Sequence, residues 1–334
     1  MEIWLEHWHL KENPFSVRPL EFVDPLFYKF FVTNDSVKEF DKYFLTLLTP
    51  GHDRSMVILG ARGSGKSTLL NYALRKIVDM KQKKDKRAWN VLPIFLSITD
   101  INALTAVKSL TDSFLRGLLK SMYWAISSDS LNPFRGSFID LEEKAHNYLS
   151  SVSSMNPSAC QLIIEEISLR IKSHFKRCIL FIDNIDKAYD SDVVEQWLLQ
   201  AQGFIDNVLW GNNIYTLIVG GVFWYELLEG RTPAEFSWLY DTHIHMRKWS
   251  MNNIRELISN RLKSATTLSE SEYALEKYFS DDALLELYDI NYAIPRLCLR
   301  GAKSCLYHGW EKNEKIITSR FIRTHPHCID GSLE

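Results

Sequence analysis

The sequence has no apolar run that approaches the roughly 20 residues a bilayer-spanning helix requires, which argues against a membrane-crossing segment. It also lacks the apolar core of a secretory signal: Met1 to Lys11 carries Glu2 and Glu6 instead. Cysteines are few. Cys160, Cys178, Cys298, Cys305 and Cys328 show no paired spacing, and an odd count without a signal segment points to a reducing compartment rather than a disulfide scaffold. An excess of one charge is missing as well, since 39 Lys and Arg face 41 Asp and Glu. The resulting net charge of -2 gives no general attraction to nucleic acid, so any such contact must come from a local patch. These absences lead us to expect a cytoplasmic protein. What remains is an ordinary folding composition, 46% hydrophobic and 24% charged over 334 residues, enough for a large core and about two domains.

Against that background one stretch carries specific chemistry. The apolar run Met56-Val57-Ile58-Leu59 leads into Gly60-Ala61-Arg62-Gly63-Ser64-Gly65-Lys66-Ser67-Thr68, after which Leu69, Leu70, Ala73, Leu74 and Ile77 repeat at helical spacing. This reads as strand, phosphate-binding loop and helix. The glycines let backbone N–H groups turn inward around the α- and β-phosphates, Lys66 reaches the β/γ oxygens, and the Ser67 hydroxyl is placed to ligate Mg²⁺. The positive end of the following helix adds to the same anion site. The motif predicts that Gly60 to Thr68 bind a nucleoside triphosphate, ATP, with Mg²⁺ as companion.

A second motif is Arg177-Cys178-Ile179-Leu180-Phe181-Ile182-Asp183-Asn184-Ile185-Asp186. Five apolar residues ending in an acid describe a strand buried on both faces that delivers Asp183 to its carboxyl edge, where open α/β sheets bind ligands. Asp183 is expected to hold Mg²⁺ or its water shell opposite Lys66. Asn184 follows where many ATPases of this kind carry a glutamate. A neutral amide can orient a water but cannot take its proton, so slow turnover is expected. Asp186 is an alternative base, although two residues apart need not face one place.

Elsewhere, Lys81-Gln82-Lys83-Lys84-Asp85-Lys86-Arg87 lies between a helix and the strand Val91 to Ile98. It reads as a loop, either a solvated turn or a phosphate-backbone contact through Lys81, Lys83, Lys84, Lys86 and Arg87. Residues 102–127 are helical in spacing, and 128–157, richer in Ser, Asn and Pro, read as an insertion or long connection. Asn213 to Gly221 is a further strand ending in glycine, Phe223 to Leu228 a helix, and His243 to Met246 an alternating strand whose two histidines share a face. Ser250 reads as the N-cap of the next helix and Pro295 as a first-turn proline, with Arg296 just inside. His325, His327 and Cys328 are metal-capable, but the intervening Pro326 and the lack of a second clustered pair argue against zinc. His7-Trp8-His9 is expected to pack onto the core. Trp197, Trp210, Trp224, Trp238 and Trp249 include candidates for interface anchors.

Taken together, residues 10–310 resemble the AAA+ ATPases, and within them the initiator-like branch of origin-recognition ATPases, ExeA secretion ATPases and TnsC-type transposition regulators. The phosphate loop is the most specific part of the likeness. Asn13-Pro14-Phe15 is similar to the lead-in near the adenine pocket in ExeA- and TnsC-like members. Ile294-Pro295-Arg296 resembles the sensor-2 motif, which implies that Arg296 reaches the γ-phosphate. Arg231, before the last core strand, occupies the place of that family's arginine finger, or is a solvated loop residue. The sequence departs from the family at Asn184 and at Gly220-Gly221, which lacks a polar sensor-1 residue.

The resemblance implies an α/β fold: a P-loop αβα sandwich with a parallel sheet, followed by a small all-helical lid. The expected organisation is a lead-in at 1–50 packing on the core, a nucleotide core at 51–249, a lid at 250–312 and a tail at 313–334, with too few residues after the lid for a winged-helix DNA reader. The expected function is an ATP-dependent oligomeric switch, a ring or filament that binds DNA, hydrolyses slowly and regulates a partner such as a transposase. Two alternatives stay open: an ATPase subunit of an antiviral defence or signalling assembly, and a nucleotide-binding scaffold without turnover.

Overall fold

The computed structural model describes residues 3–15, 18, 20–49, 55–97, 107–151, 156–184, 215–220 and 242–325, with backbone alone for 107–113 and 215–220. It divides into two compact units: a helical unit of Met1–Lys38, Ala61–Thr68 and Met246–Glu334, and a sheet unit of Glu39–Gly60 and Leu69–His245.

In the sheet unit, β1 (Ser55–Leu59), β2 (Val91–Ser97), β3 (Arg177–Asp183), β4 (Tyr215–Gly220) and β5 (His243–His245) pair in the order β2-β3-β4-β1-β5. All the pairings are parallel, so the carboxyl ends of the strands share one edge. The residue choice follows from that arrangement. Every residue of β1 and β3 is buried, as parallel strands covered on both faces require. Pro93 sits in β2, at an edge of the sheet, where its missing N–H leaves no central ladder bond unmade. The β2–β3 register sets Ser97 beside Asp183.

Helix α4 (Lys66–Gln82) follows the phosphate loop, and the short α5 (Lys86–Trp89) precedes β2. A hydrophobic cluster joins Leu92, Ile94 and Leu96 of β2 and Leu180 and Ile182 of β3 to Leu118 and Met122 of α6 (Val107–Ser127) and Ile164 and Ile167 of α8 (Pro157–His174). The segment 128–157 is more than a connection. It contains α7 (Ile139–Ser150), whose Leu141 and Ala145 enter that cluster, and it ends in Asn156, whose side chain accepts from the N–H groups of Ser158 and Ala159 to cap α8 ahead of Pro157.

The helical unit holds α1 (Ile3–His7), α2 (Phe27–Phe30), the start of α3 (Asp35–Leu47), α9 (Met251–Ala265), α10 (Asp281–Ile290), α11 (Pro295–Glu311) and α12 (Ser319–Thr324). Ser250 caps α9 through a reciprocal box with Asn253, and Pro295 opens α11, both as expected. The lead-in supplies part of this unit's core. Trp4, Leu5, Trp8, Leu10 and Phe15 belong to the core of this unit, the Trp8 indole donates to the Leu306 carbonyl at 2.7 Å, and the Lys11 N–H donates to Ala265 at 2.8 Å. Residues through Lys38 therefore group with the helical unit, and the sheet unit begins at Glu39. The tail also contributes: Ile317, Phe321 and Ile322 are buried, each adding apolar burial worth roughly 2 kcal/mol, so the lid continues through α12.

Among the described residues no helix is long and apolar enough to cross a membrane. Cys160, Cys178, Cys298 and Cys305 are buried free thiols, and burial pushes Cys298 up to about 12, leaving it inert as a nucleophile. His243 and His245 share a face of β5 with rings 6.5 Å apart, and His325 stacks on Phe321. Residues 326–328 and Trp197, Trp210, Trp224 and Trp238 lie outside the described residues, as do Gly221, the helix expected at 223–228 and Ile98.

Candidate nucleotide site

The phosphate loop leaves β1 through Gly60 and enters α4 at Lys66. Gly63 (φ 88°) and Gly65 (φ 106°) occupy left-handed backbone that side chains resist. Gly63 is constrained twice, because a Cβ there would lie 2.8 Å from Arg296 Cβ and 3.3 Å from Ile294 Cγ2. The Arg296 N–H donates to the Gly63 carbonyl at 3.4 Å, and the buried Trp249 indole donates to the Ser64 carbonyl at 3.3 Å. Two successive loop carbonyls are thus held from outside by groups flanking α9 and opening α11.

Lys66 is buried, and its ammonium donates to the Ala61 carbonyl at 3.3 Å. Ser67 and Thr68 are half-buried in the first turn of α4, while Arg62 is exposed. The Ser64 hydroxyl is buried with no hydrogen-bond partner among the described residues. Buried polar groups are nearly always paired, so an orphan in a glycine-turned loop fits an absent phosphate. The residues present therefore suit a triphosphate.

Arg296 is positioned by the turn that precedes α11, in which Tyr292 (φ 53°) and Ala293 (φ 58°) are consecutive left-handed residues. Such positions cost on the order of 1–2 kcal/mol each. Hydrogen bonds from Tyr292 to Asp289 and from Ala293 to Tyr288 close α10 and hold the turn. Neither this turn nor the Trp249 contact was anticipated; the one available signal was a tryptophan directly before the cap Ser250.

At the sheet's carboxyl edge, Asp183 ends β3 and is 5% exposed. Asn184 (φ 62°) folds back on it: its backbone N–H donates to Asp183 Oδ1 at 2.8 Å, and its side-chain amide donates to Asp183 Oδ2 at 3.0 Å and to Ser97 Oγ at 3.2 Å. The amide expected to orient a water is thus committed to a carboxylate and a hydroxyl. Arg231 and Asp186 lie outside the described residues.

The basic run is not a single loop, and Lys81 is not part of an exposed stripe. Lys81 and Gln82 belong to α4, which ends in hydrogen bonds from Lys84 to Lys81 and from Asp85 to Met80, with Lys84 left-handed at φ 55°. Asp85 then caps α5. Lys83, Lys84, Lys86 and Arg87 are exposed, and Arg87 pairs with Asp85 at 2.7 Å. Lys81 is buried because it continues the stripe of Leu74 and Ile77. It lies 5.5 Å from the Phe175 ring centre and donates to the Trp89 carbonyl at 3.4 Å.

Burial lowers the Lys81 pKa to about 7. Between that value and the ordinary lysine range the unfolded chain carries a proton that the folded chain does not, so stability rises with pH across the window. We expect Lys81→Met to melt higher than the parent at pH 7 and below, and the gap to close toward pH 10, in paired thermal melts. A variant that melts below the parent at pH 7 would mean that the ammonium is charged and stabilising.

The comparisons with known proteins bear on this geometry. Residues 13–128 match the family described as ORC-CDC6-like. The ORC2 protein of Aeropyrum pernix in its ADP form is 10% identical, with 95% of this chain and 72% of that chain aligned at a TM-score of 0.58. The fold is the AAA+ P-loop fold. Two further neighbours agree. The Cdc6p protein of Pyrobaculum aerophilum is 15% identical, covering 86% of this chain and 68% of that one at a TM-score of 0.51. The ORC1 protein of Aeropyrum pernix, solved in complex with DNA, is 10% identical over 91% of this chain and 67% of that one at 0.53. No curated protein matches the chain in sequence.

Proposed function

We propose that this chain is a cytoplasmic ATPase that works as an ATP-dependent oligomeric switch on duplex DNA and regulates a partner protein. The observation that carries the reading is the phosphate loop itself, with its orphaned Ser64 hydroxyl, its buried Lys66 and two carbonyls held by Arg296 and Trp249. Gly60 to Thr68 hold the phosphates, Ser67 and Asp183 serve Mg²⁺, and Arg296 reads the γ-phosphate. Bound Mg²⁺ and ATP would supply the anhydride to be cleaved and the counter-charge for it. Asn184 cannot accept a proton from an attacking water, and with its side-chain amide already donated to Asp183 and Ser97, hydrolysis is slow. Arg231 from a neighbouring subunit completes the site, which couples nucleotide occupancy to a ring or filament.

The DNA arm rests on the exposed cations Lys83, Lys84, Lys86 and Arg87, in support of which stands a neighbour solved with DNA. The regulated partner is transposase-like in the finer form of this reading. Reversing Lys83, Lys84 and Lys86 to glutamate is expected to lower duplex affinity at least tenfold and to reduce the salt slope by about two to three, since each phosphate contact releases roughly one counterion. Filter or anisotropy titrations at several salt concentrations measure both. Unchanged affinity and slope would make the run a solvated turn.

A further inference from the structure

We propose that Asn184 is a positioning residue that fixes the Asp183 carboxylate for the divalent metal of a bound nucleotide; the inference rests on the nucleotide reading above. The geometry is specific. One residue engages both carboxylate oxygens, through its backbone N–H to Oδ1 at 2.8 Å and its side-chain amide to Oδ2 at 3.0 Å. A carboxylate only accepts, so the amide's NH₂ side must face it, and the same nitrogen reaches Ser97 Oγ at 3.2 Å. The carboxylate is thereby tied across the β2–β3 register, in which Ser97 and Asp183 are lateral partners.

The backbone explains why asparagine stands here. At φ 62° the chain turns left-handed directly after β3, which brings both donors of residue 184 back onto residue 183. Asparagine is among the few side chains that tolerate this conformation. A glutamate at this position would be disfavoured in the turn, would offer no side-chain donor when ionised, and would set a second negative charge near Asp183. A carboxylate has about four lone-pair sites, so the two bonds donated by Asn184 do not by themselves exhaust its acceptor capacity. Groups that orient a metal's ligands commonly change metal affinity by 10–100-fold when removed.

The test is equilibrium binding of a fluorescent ATP analogue to the full chain, with Mg²⁺ and with EDTA. The parent is expected to bind more tightly with Mg²⁺. Asn184→Gly keeps the left-handed turn and the backbone donor but removes the amide. It is expected to lose about tenfold of the Mg²⁺-dependent gain while its Mg²⁺-free affinity stays within about twofold. Ser97→Ala, which frees the amide from its second anchor, is expected to move the gain in the same direction and less far, and Ser97→Thr to restore it. A purely structural role would weaken binding equally with and without Mg²⁺, and that result would overturn the proposal, as would a full Mg²⁺ gain in both Asn184→Gly and Ser97→Ala. A parent that binds no nucleotide under either condition overturns the nucleotide reading itself.

Discussion

Lys66→Ala is expected to weaken ATP binding by about 100-fold or more. Lys66 is 9% exposed, and its ammonium donates to the Ala61 carbonyl at 3.3 Å. With phosphate present the same charge makes short charge-assisted bonds whose loss is worth about 1.5–3 kcal/mol each. Lys66→Arg should not rescue binding, because a planar fork does not replace a compact ammonium among packed backbone. Isothermal titration gives the affinity, and paired melts with and without ATP give the stability. A stabilisation by ATP that survives Lys66→Ala would place the nucleotide somewhere other than this loop.

Gly63→Ala is expected to lower ATP affinity tenfold or more together with the melting temperature. Two penalties coincide at this residue. The left-handed φ of 88° costs a side-chain-bearing residue on the order of 1–2 kcal/mol. The added methyl would also stand 2.8 Å from Arg296 Cβ, an atom fixed to the backbone of α11 rather than the far end of a flexible chain. Relief requires the loop and the start of α11 to move apart, which lengthens the Arg296–Gly63 hydrogen bond and shifts the arginine proposed to read the γ-phosphate. Gly136→Ala is the control, since a Cβ there meets nothing within 4 Å. Equal behaviour of the two variants would mean that the contact of α11 with the loop has no part in binding.

The elements written in local pattern were readable from the chain: the phosphate loop, the all-apolar β3 that ends in Asp183, the Ser250 cap and the first-turn Pro295. Each depends on residues within a few positions of one another. What could not be read depends on pairs far apart in sequence. Trp8 belongs to the lid because its indole meets the Leu306 carbonyl, and nothing in His7-Trp8-His9 distinguishes that from docking on the sheet. The Asn184–Ser97 contact needed the β2–β3 register, which sets Ser97 beside Asp183. Lys81 is different, because its signal was present. It continues the spacing of Leu74 and Ile77 on the buried face of α4, yet its charge drew it into the basic run. Helical periodicity outweighs residue type there, and the chain meets the cost of burial by lowering the lysine's pKa.

The central claim is that ATP at this loop controls assembly, and sedimentation velocity tests it most directly. The full chain is run with ATP and Mg²⁺, with and without duplex DNA, beside Lys66→Ala. Large species that require ATP, grow on DNA and are absent in Lys66→Ala are the expected result. A distribution indifferent to ATP, or one that Lys66→Ala reproduces, would contradict the switch.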